Sequence, residues 1–331
     1  MREDFFETPI YVDNNGVKIA VYADKPAEST GKPCVVFMHG FPELAYSWRH
    51  QIPAMLEAGH PVICFDGRGY GLSDAPDLVA DYSMRHLTND ILSILNFFDL
   101  KKVVFAGHDW GALVLWSLPF YMPERILGLI GMNVPFKPRR DMDTVQLLTQ
   151  MFGEDNYINW FQKEGVADNV FNADIAKSFR FFMRVADKDK GPEGSSLSSK
   201  TLSFQKLFER PEETWPGKVL LSDEELAFYT QRYSRNGFTG PINWYRNFHE
   251  NWLDMEQYQP LGVSRPQIKF PCLMFLAAKD PVCPPEGAHD LGEYCPDLKT
   301  HLVESSGHWT QQEAPDEVNR EMIRWLNKRF C

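Results

Sequence analysis

The chain has 331 residues, 44% hydrophobic and 24% charged, which is the balance of a globular protein with a sizeable core and excludes a disordered or fibrous one. Its formal net charge of −11 and pI of about 5.3 argue against a polyanion partner such as nucleic acid, and the short basic clusters Lys101-Lys102 and Lys137-Pro138-Arg139-Arg140 read as solvated loops. Nowhere do 18 uninterrupted apolar residues occur, and the N-terminus MREDFFETPIYVDNNG has no basic segment followed by an apolar one, so the expectation is no membrane span, no signal peptide and a cytoplasmic setting.

In chain order, Pro9–Asp13 and Val17–Ala23 around Asn14-Asn15-Gly16 predict a β-hairpin. Fully apolar runs follow at Val35–Met38, Val62–Phe65, Val103–Ala106 and Ile126–Met132, the pattern of strands buried on both faces of a parallel sheet. Between them, Leu87, Ile91, Ile94, Leu95 and Phe98 form one stripe on one helix. Alternating strands and helices predict a doubly wound α/β sheet. Gly67-Arg68-Gly69-Tyr70-Gly71 lacks the spacing of a nucleotide-binding loop and reads as a tight turn after a strand.

The rhythm changes at Val134. Up to about Tyr258 the text is helical and rich in aromatics, with a polar stretch at Asp187–Lys200 that reads as a loop. Strand-like text returns at Cys272–Ala277 and Thr300–Glu304, and Val318, Met322, Ile323, Trp325 and Leu326 mark a closing amphipathic helix. The expected architecture is therefore an α/β core in two parts, 1–133 and 259–331, interrupted by a helical insertion at 134–258. Six cysteines, at 34, 64, 272, 283, 295 and 331, contain no C-x-x-C pair and suggest neither a zinc site nor a disulfide framework.

Gly107-His108-Asp109-Trp110-Gly111 sits at the end of a predicted strand in the frame Gly-x-nucleophile-x-Gly, the elbow that usually presents serine. Alone it is equally compatible with a helix cap at Asp109. Three further pieces, each after a predicted strand, give it weight. Asp280 and His308 follow in the chain order nucleophile, acid, histidine of α/β-hydrolases, and the competing acid position after Ile126–Met132 holds Asn133. His39-Gly40-Phe41-Pro42 is placed to form an oxyanion hole from the backbone N–H groups of Phe41 and Trp110.

A carboxylate at the elbow changes the chemistry. Serine attacking a saturated carbon would be left as an ether, whereas aspartate leaves an ester that water can cleave. With an ordinary pKa of about 3.9, Asp109 needs no base for the first attack, which leaves His308, oriented by Asp280, to activate water in the second. Attack at an alkyl carbon disfavours esterase and peptidase readings and leaves two reactions, opening an epoxide and displacing a halide. An alkoxide needs a proton donor such as tyrosine; a halide does not.

Gly107–Gly111, His39–Pro42, Asn243-Trp244-Tyr245-Arg246 and Gly307-His308-Trp309 together resemble the soluble epoxide hydrolases of the α/β-hydrolase superfamily, over nearly the whole chain. The resemblance implies a helical cap and two cap tyrosines that bind and protonate the epoxide oxygen. It gives Tyr245 as one and Tyr157 as the best match to the other, with Tyr229 and Tyr233 as fallbacks that more readily pack. It implies no cofactor, no metal, and a small apolar epoxide and water as partners, in a pocket lined by His39, Phe41, Pro42, Trp110, Ile158 and Trp309. Halide-displacing members of the superfamily often carry Asn where this chain has Phe41, and Trp110 does not discriminate. A haloalkane dehalogenase and a non-catalytic hydrolase-fold binding protein remain the alternatives, and a homodimer is left open.

Overall fold

The computed structural model describes residues 5–25, 31–185, 203–261 and 266–331, so the polar stretch at 187–200 lies outside it. Strands β1 (Ile10–Asn14), β2 (Val17–Asp24), β3 (Val35–Met38), β4 (Val62–Phe65), β5 (Val103–His108) and β6 (Ile126–Met132) alternate with helices α1 (Gln51–Glu57), α2 (Met84–Phe97) and α3 (Trp110–Tyr121). Between β6 and the next long strand come the short helices α4 (Thr144–Phe152), α5 (Tyr157–Gln162), α6 (Val166–Asn172) and α7 (Ile175–Phe182), then the short strand β7 (Arg184–Val185). Helix α8 (Phe204–Phe208), strand β8 (Lys218–Val219), and helices α9 (Asp223–Tyr233), α10 (Thr239–Arg246) and α11 (Phe248–Asp254) complete that helical insertion. The chain then returns through β9 (Cys272–Ala277), α12 (Leu291–Tyr294), β10 (Leu298–Val303), α13 (Thr310–Glu313) and α14 (Pro315–Phe330).

Eight strands form one sheet in the order β1-β2-β4-β3-β5-β6-β9-β10. Only β2 runs against its neighbours; from β4 to β10 every pairing is parallel. The apolar runs explain this. β3, β4 and β5 are buried at every residue, which requires cover on both faces and suits central parallel strands. Their side chains alternate between two cores. Val36, Met38, Ile63, Phe65, Val103 and Phe105 join the cluster containing α2 and the insertion, while Val35, Phe37, Val62, Cys64, Val104 and Ala106 join the one covered by Met322, Trp325 and Leu326 of α14.

Two expectations shift. The last strand begins two residues before Thr300 and ends at Val303, because the polar start Leu298-Lys299 pairs with Cys272 and Leu273 of β9 despite its weak apolar signal. Arg139 is not solvated. Its guanidinium lies 4.3 Å over the Trp252 ring and its Nε donates to the Trp252 carbonyl, so the side chain is held against the protein.

The Gly67–Gly71 segment is a turn with a structural charge in it. Arg68 makes a two-pronged ion pair with Asp90 of α2, at 2.6 and 2.7 Å, and Asn14 donates to the same carboxylate. Both charged side chains are buried, so removing one partner would strand the other at a cost of about 3–5 kcal/mol.

Candidate active site

β5 ends at His108 and α3 begins at Trp110, which leaves Asp109 alone to make the corner, with φ 51° and ψ −117°. That is an unfavourable conformation for a residue with a Cβ, costing on the order of 1–3 kcal/mol. The glycines on either side allow it. A Cβ on Gly107 would collide with the carbonyl of Gly111, and a Cβ on Gly111 with that of Met38. The Asp109 carboxylate therefore projects past the sheet edge toward the helical insertion.

Oδ1 of Asp109 accepts the backbone N–H of Phe41 at 2.8 Å. Oδ2 lies 3.6 Å from Nε2 of His308. Trp110 is the first residue of α3, where backbone N–H groups have no partner within the helix. Burial would raise the Asp109 pKa, but close approach to His308, the charges of His308 and His108 and the Phe41 N–H outweigh it and hold the group below the ordinary carboxylate value.

His308 is held from its other nitrogen. Nδ1 is 2.9 Å from Oδ2 of Asp280, and because a carboxylate only accepts, the proton sits on Nδ1. Asp280 follows β9; its Oδ1 accepts the N–H groups of Val282 and Cys283, and Asn133 donates to Oδ2 at 2.7 Å. Burial opposes its ionisation, yet the His308 charge and the hydrogen bonds from His308, Cys283 and Asn133 lower its pKa to about 2. Burial likewise opposes the His308 charge, but Asp280 and Asp109 together raise its pKa well above the usual 6.5. Two carboxylates thus flank the ring and favour its charged form.

Several residues that the sequence did not mark support this trio. Glu313 of α13 accepts the N–H groups of Gly307 and Trp309 and so fixes the loop on both sides of His308. His108, the last residue of β5, turns its ring toward the His308 loop. Its Nε2 donates to the backbone carbonyl of His308 at 2.7 Å and its Nδ1 is 2.9 Å from Oε2 of Glu43, with both side chains fully buried. A carbonyl can only accept, so Nε2 carries one proton and the contact with Glu43 carries another. Gln311 and Gln312 donate their amides to the same carboxylate. The only sequence signals were a histidine beside the nucleophile and a glutamate directly after His39–Pro42.

Opposite Asp109 stands an aromatic wall. Tyr157 opens α5 and Tyr245 lies near the end of α10; their ring centroids are 5.9 Å apart in an edge-to-face arrangement. Burial, reinforced by the charge of Asp109, raises both phenols well above pKa 10 and keeps them protonated. Arg246, next to Tyr245, donates to the carbonyls of Phe161 and Lys163 at the end of α5 and pairs with buried Asp168 at 2.7 Å, which locks α10 to the helix carrying Tyr157. Tyr229 and Tyr233 pack instead against Phe179 in the interior of the insertion.

One cavity joins these parts: Asp109, His308, Tyr157 and Tyr245 all line it. Of the expected pocket residues Phe41 and Trp309 line it as well, whereas His39, Pro42, Trp110 and Ile158 do not. His39 faces a separate void against α2, with its Nε2 accepting the N–H of Gly67. Trp110 stacks on Phe248, its ring centroid 5.0 Å away. The cavity is completed by Phe182, Phe204, Pro281, Val282 and Arg184, whose guanidinium is occupied by the carbonyls of Arg180, Trp215, Pro216 and Gly217.

A parallel sheet with a strained nucleophile elbow, followed by acid and histidine after later strands, defines an α/β-hydrolase, and the profile of the family described as alpha/beta hydrolase fold matches residues 33–315. The chain is 35% identical to epoxide hydrolase A of Mycobacterium tuberculosis, over 95% of this chain and 96% of that protein. It is also 35% identical to bifunctional epoxide hydrolase 2 of Sus scrofa, over 89% of this chain but only 51% of that longer protein. The crystal structure of epoxide hydrolase A from Mycobacterium thermoresistibile superposes with a TM-score of 0.81 at 36% identity, covering 97% of this chain and 98% of that one. This chain belongs to the soluble epoxide hydrolase family of the α/β-hydrolase superfamily. No helix among the described residues is long and apolar enough to cross a membrane.

Proposed function

We propose that this protein hydrolyses epoxides to vicinal diols through a covalent ester on Asp109. The observation that carries the reading is the pair of protonated phenols, Tyr157 and Tyr245, facing an ionised carboxylate across one mostly apolar cavity. A nucleophile and two proton-bearing donors converging on one space match what a strained ether needs, because the alkoxide it releases must be protonated as it forms. The helical insertion at 134–258 acts as the cap that supplies them.

In the first step an Asp109 oxygen attacks an oxirane carbon, the C–O bond breaks, and the electron pair goes to the epoxide oxygen, which takes a proton from a phenol. His308, charged at rest, holds the proton that restores that phenol. Once Asp109 is esterified its negative charge is gone, one of the two groups favouring imidazolium disappears, and His308 becomes able to act as base. It then directs water onto the ester carbonyl, whose developing charge meets the N–H groups of Phe41 and Trp110. Cleavage of the acyl–oxygen bond releases a diol and regenerates the carboxylate, which carries one oxygen from water.

The test is to supply purified protein with styrene oxide and, separately, a chloroalkane, and to measure diol and chloride. Diol is the expected product. Chloride without diol would favour a haloalkane dehalogenase, and neither product would favour a binding protein. A single turnover in heavy-oxygen water with enzyme in excess should leave label in the side chain at position 109.

A further inference from the structure

Beside the triad lies a third kind of donor that the reaction does not use. The sulfur of Cys283, a carboxylate oxygen of Asp280 and a ring nitrogen of His308 all lie within 4.8 Å of one another. We propose that these three side chains form a site for a thiophilic divalent cation, Zn²⁺ or Cd²⁺, and that its binding takes His308 out of catalysis.

The loop after β9 builds the site. Its N–H groups at Val282 and Cys283 both bind Oδ1 of Asp280, which folds the loop back on the carboxylate and leaves Oδ2 facing Nδ1 of His308. Thiolate, imidazole and carboxylate are the three ligand types that zinc takes most readily, and three protein ligands with one open position is a usual zinc arrangement. Ligand atoms around a tetrahedral zinc lie roughly 3.3–3.6 Å apart. Side-chain adjustments on the order of 1 Å therefore close the set. Asp280 is buried, whereas Cys283 and His308 keep part of their surface exposed. Pro281, Val282 and His308 line the substrate cavity, which provides the entry path and room for a water in the fourth position. The ionised carboxylates of Asp109 and Asp280 supply a local field that favours a cation.

Binding involves no redox change. The bonds formed are S–M, N–M and O–M, and two protons leave for solvent, one from the Cys283 thiol and one from Nδ1 of His308. The metal replaces the proton that joins His308 to Asp280. This consequence rests on the proposed reaction: a metal-held ring can no longer activate water, so turnover stops with ester on Asp109.

The experiment titrates the full chain and its Cys283→Ala, Cys283→Ser and Cys331→Ala variants with CdCl₂, following the ultraviolet thiolate-to-cadmium charge-transfer band. Diol formation is measured in parallel with ZnCl₂ and after adding chelator. The band should appear at one equivalent in the wild type and in Cys331→Ala and be lost in Cys283→Ala. The zinc concentration for half-inhibition should rise at least about tenfold in Cys283→Ala, and chelator should restore wild-type activity. A band and a zinc sensitivity unchanged in Cys283→Ala would overturn the site. A Cys283-dependent band without inhibition would overturn its effect on His308. If Cys283→Ala does not fold, Cys283→Ser decides the question, since a hydroxyl of similar size is a poor ligand for these ions. A Cys283-dependent band in a protein that opens no epoxide would uphold the site while removing the proposed reaction.

Discussion

Nε2 of His308 stands 3.6 Å from Oδ2 of Asp109, on the opposite side of the ring from Asp280. The imidazole is therefore shared between a carboxylate that the proposed reaction esterifies and one that it leaves ionised. Asp109→Asn imitates the loss of charge on esterification. The His308 pKa, followed by NMR of the ring protons, should be lower in Asp109→Asn than in the wild type, because one of the two charges that raise it is removed. Equal titration in the two proteins would rule out the proposed release of His308 as a base.

The same couplings have a sign in stability. The folded pKa of His308 lies above its ordinary value, so its contribution is fully present below about pH 6.5 and is lost as pH rises through the folded value. The Asp280 pKa is lowered from 3.8 to about 2, so its contribution is present above pH 3.8 and is lost as pH falls through about 2. Urea denaturation across pH should show both limbs in the wild type. In Asp280→Asn the acid limb should shrink, and the alkaline limb should move to lower pH because His308 loses its nearest countercharge.

Phenylalanine at Tyr157 or Tyr245 keeps the ring contacts and removes one hydroxyl from the cavity. A hydrogen bond to a charged group contributes about 1.5–3 kcal/mol, so each substitution should slow alkylation roughly 10- to 150-fold while leaving hydrolysis of a preformed ester nearly unchanged. Stopped-flow measurement of the two steps separates them. A silent Tyr157→Phe together with a slow Tyr229→Phe or Tyr233→Phe would mean that the wrong phenol has been assigned, although both alternatives pack away from the cavity.

Legibility in the sequence followed the kind of constraint. The central strands were readable because burial on both faces leaves only apolar residues at Val35–Met38 and Val62–Phe65, and the elbow because its geometry admits only glycine at 107 and 111. The Glu43–His108 contact was not, since 65 positions separate its partners and neither residue type is unusual where it stands. Phe182, Phe204 and Arg184 were hidden for another reason. Periodicity in a short helix tells which face is buried, not whether that face meets another helix or a cavity. Arg139 misled because a basic cluster reads as solvated until a partner such as Trp252, more than a hundred residues later, covers it.

Glu43 reaches the site through His108 and through Gln311 and Gln312 of α13. In Glu43→Gln an uncharged amide replaces the carboxylate that His108, Gln311 and Gln312 share, and each hydrogen bond to a charged group contributes about 1.5–3 kcal/mol. A less firmly held His108 ring also weakens the bond from its Nε2 to the His308 carbonyl, which helps to place His308. The expected outcome is lower resistance to urea together with slower hydrolysis of the ester, the step that needs His308 in place. A purely structural role would lower stability and leave the hydrolysis rate of the folded protein unchanged.

Arg246 makes the final case, because its pairing and its anchoring can be separated. Arg246→Ala strands the buried carboxylate of Asp168 and should cost about 3–5 kcal/mol in urea denaturation. Replacing both partners with apolar residues, Arg246→Met with Asp168→Leu, removes the stranded charge and should restore most of that loss. It cannot restore the bonds from the guanidinium to the Phe161 and Lys163 carbonyls, which hold α5 against α10. With that clasp gone the two phenols lose their fixed spacing, so alkylation should stay slow in a protein that is stable again. Recovery of rate together with stability would show that Arg246 serves only the fold, and that packing and the bond from Gln162 to the Tyr245 carbonyl suffice to position the two phenols.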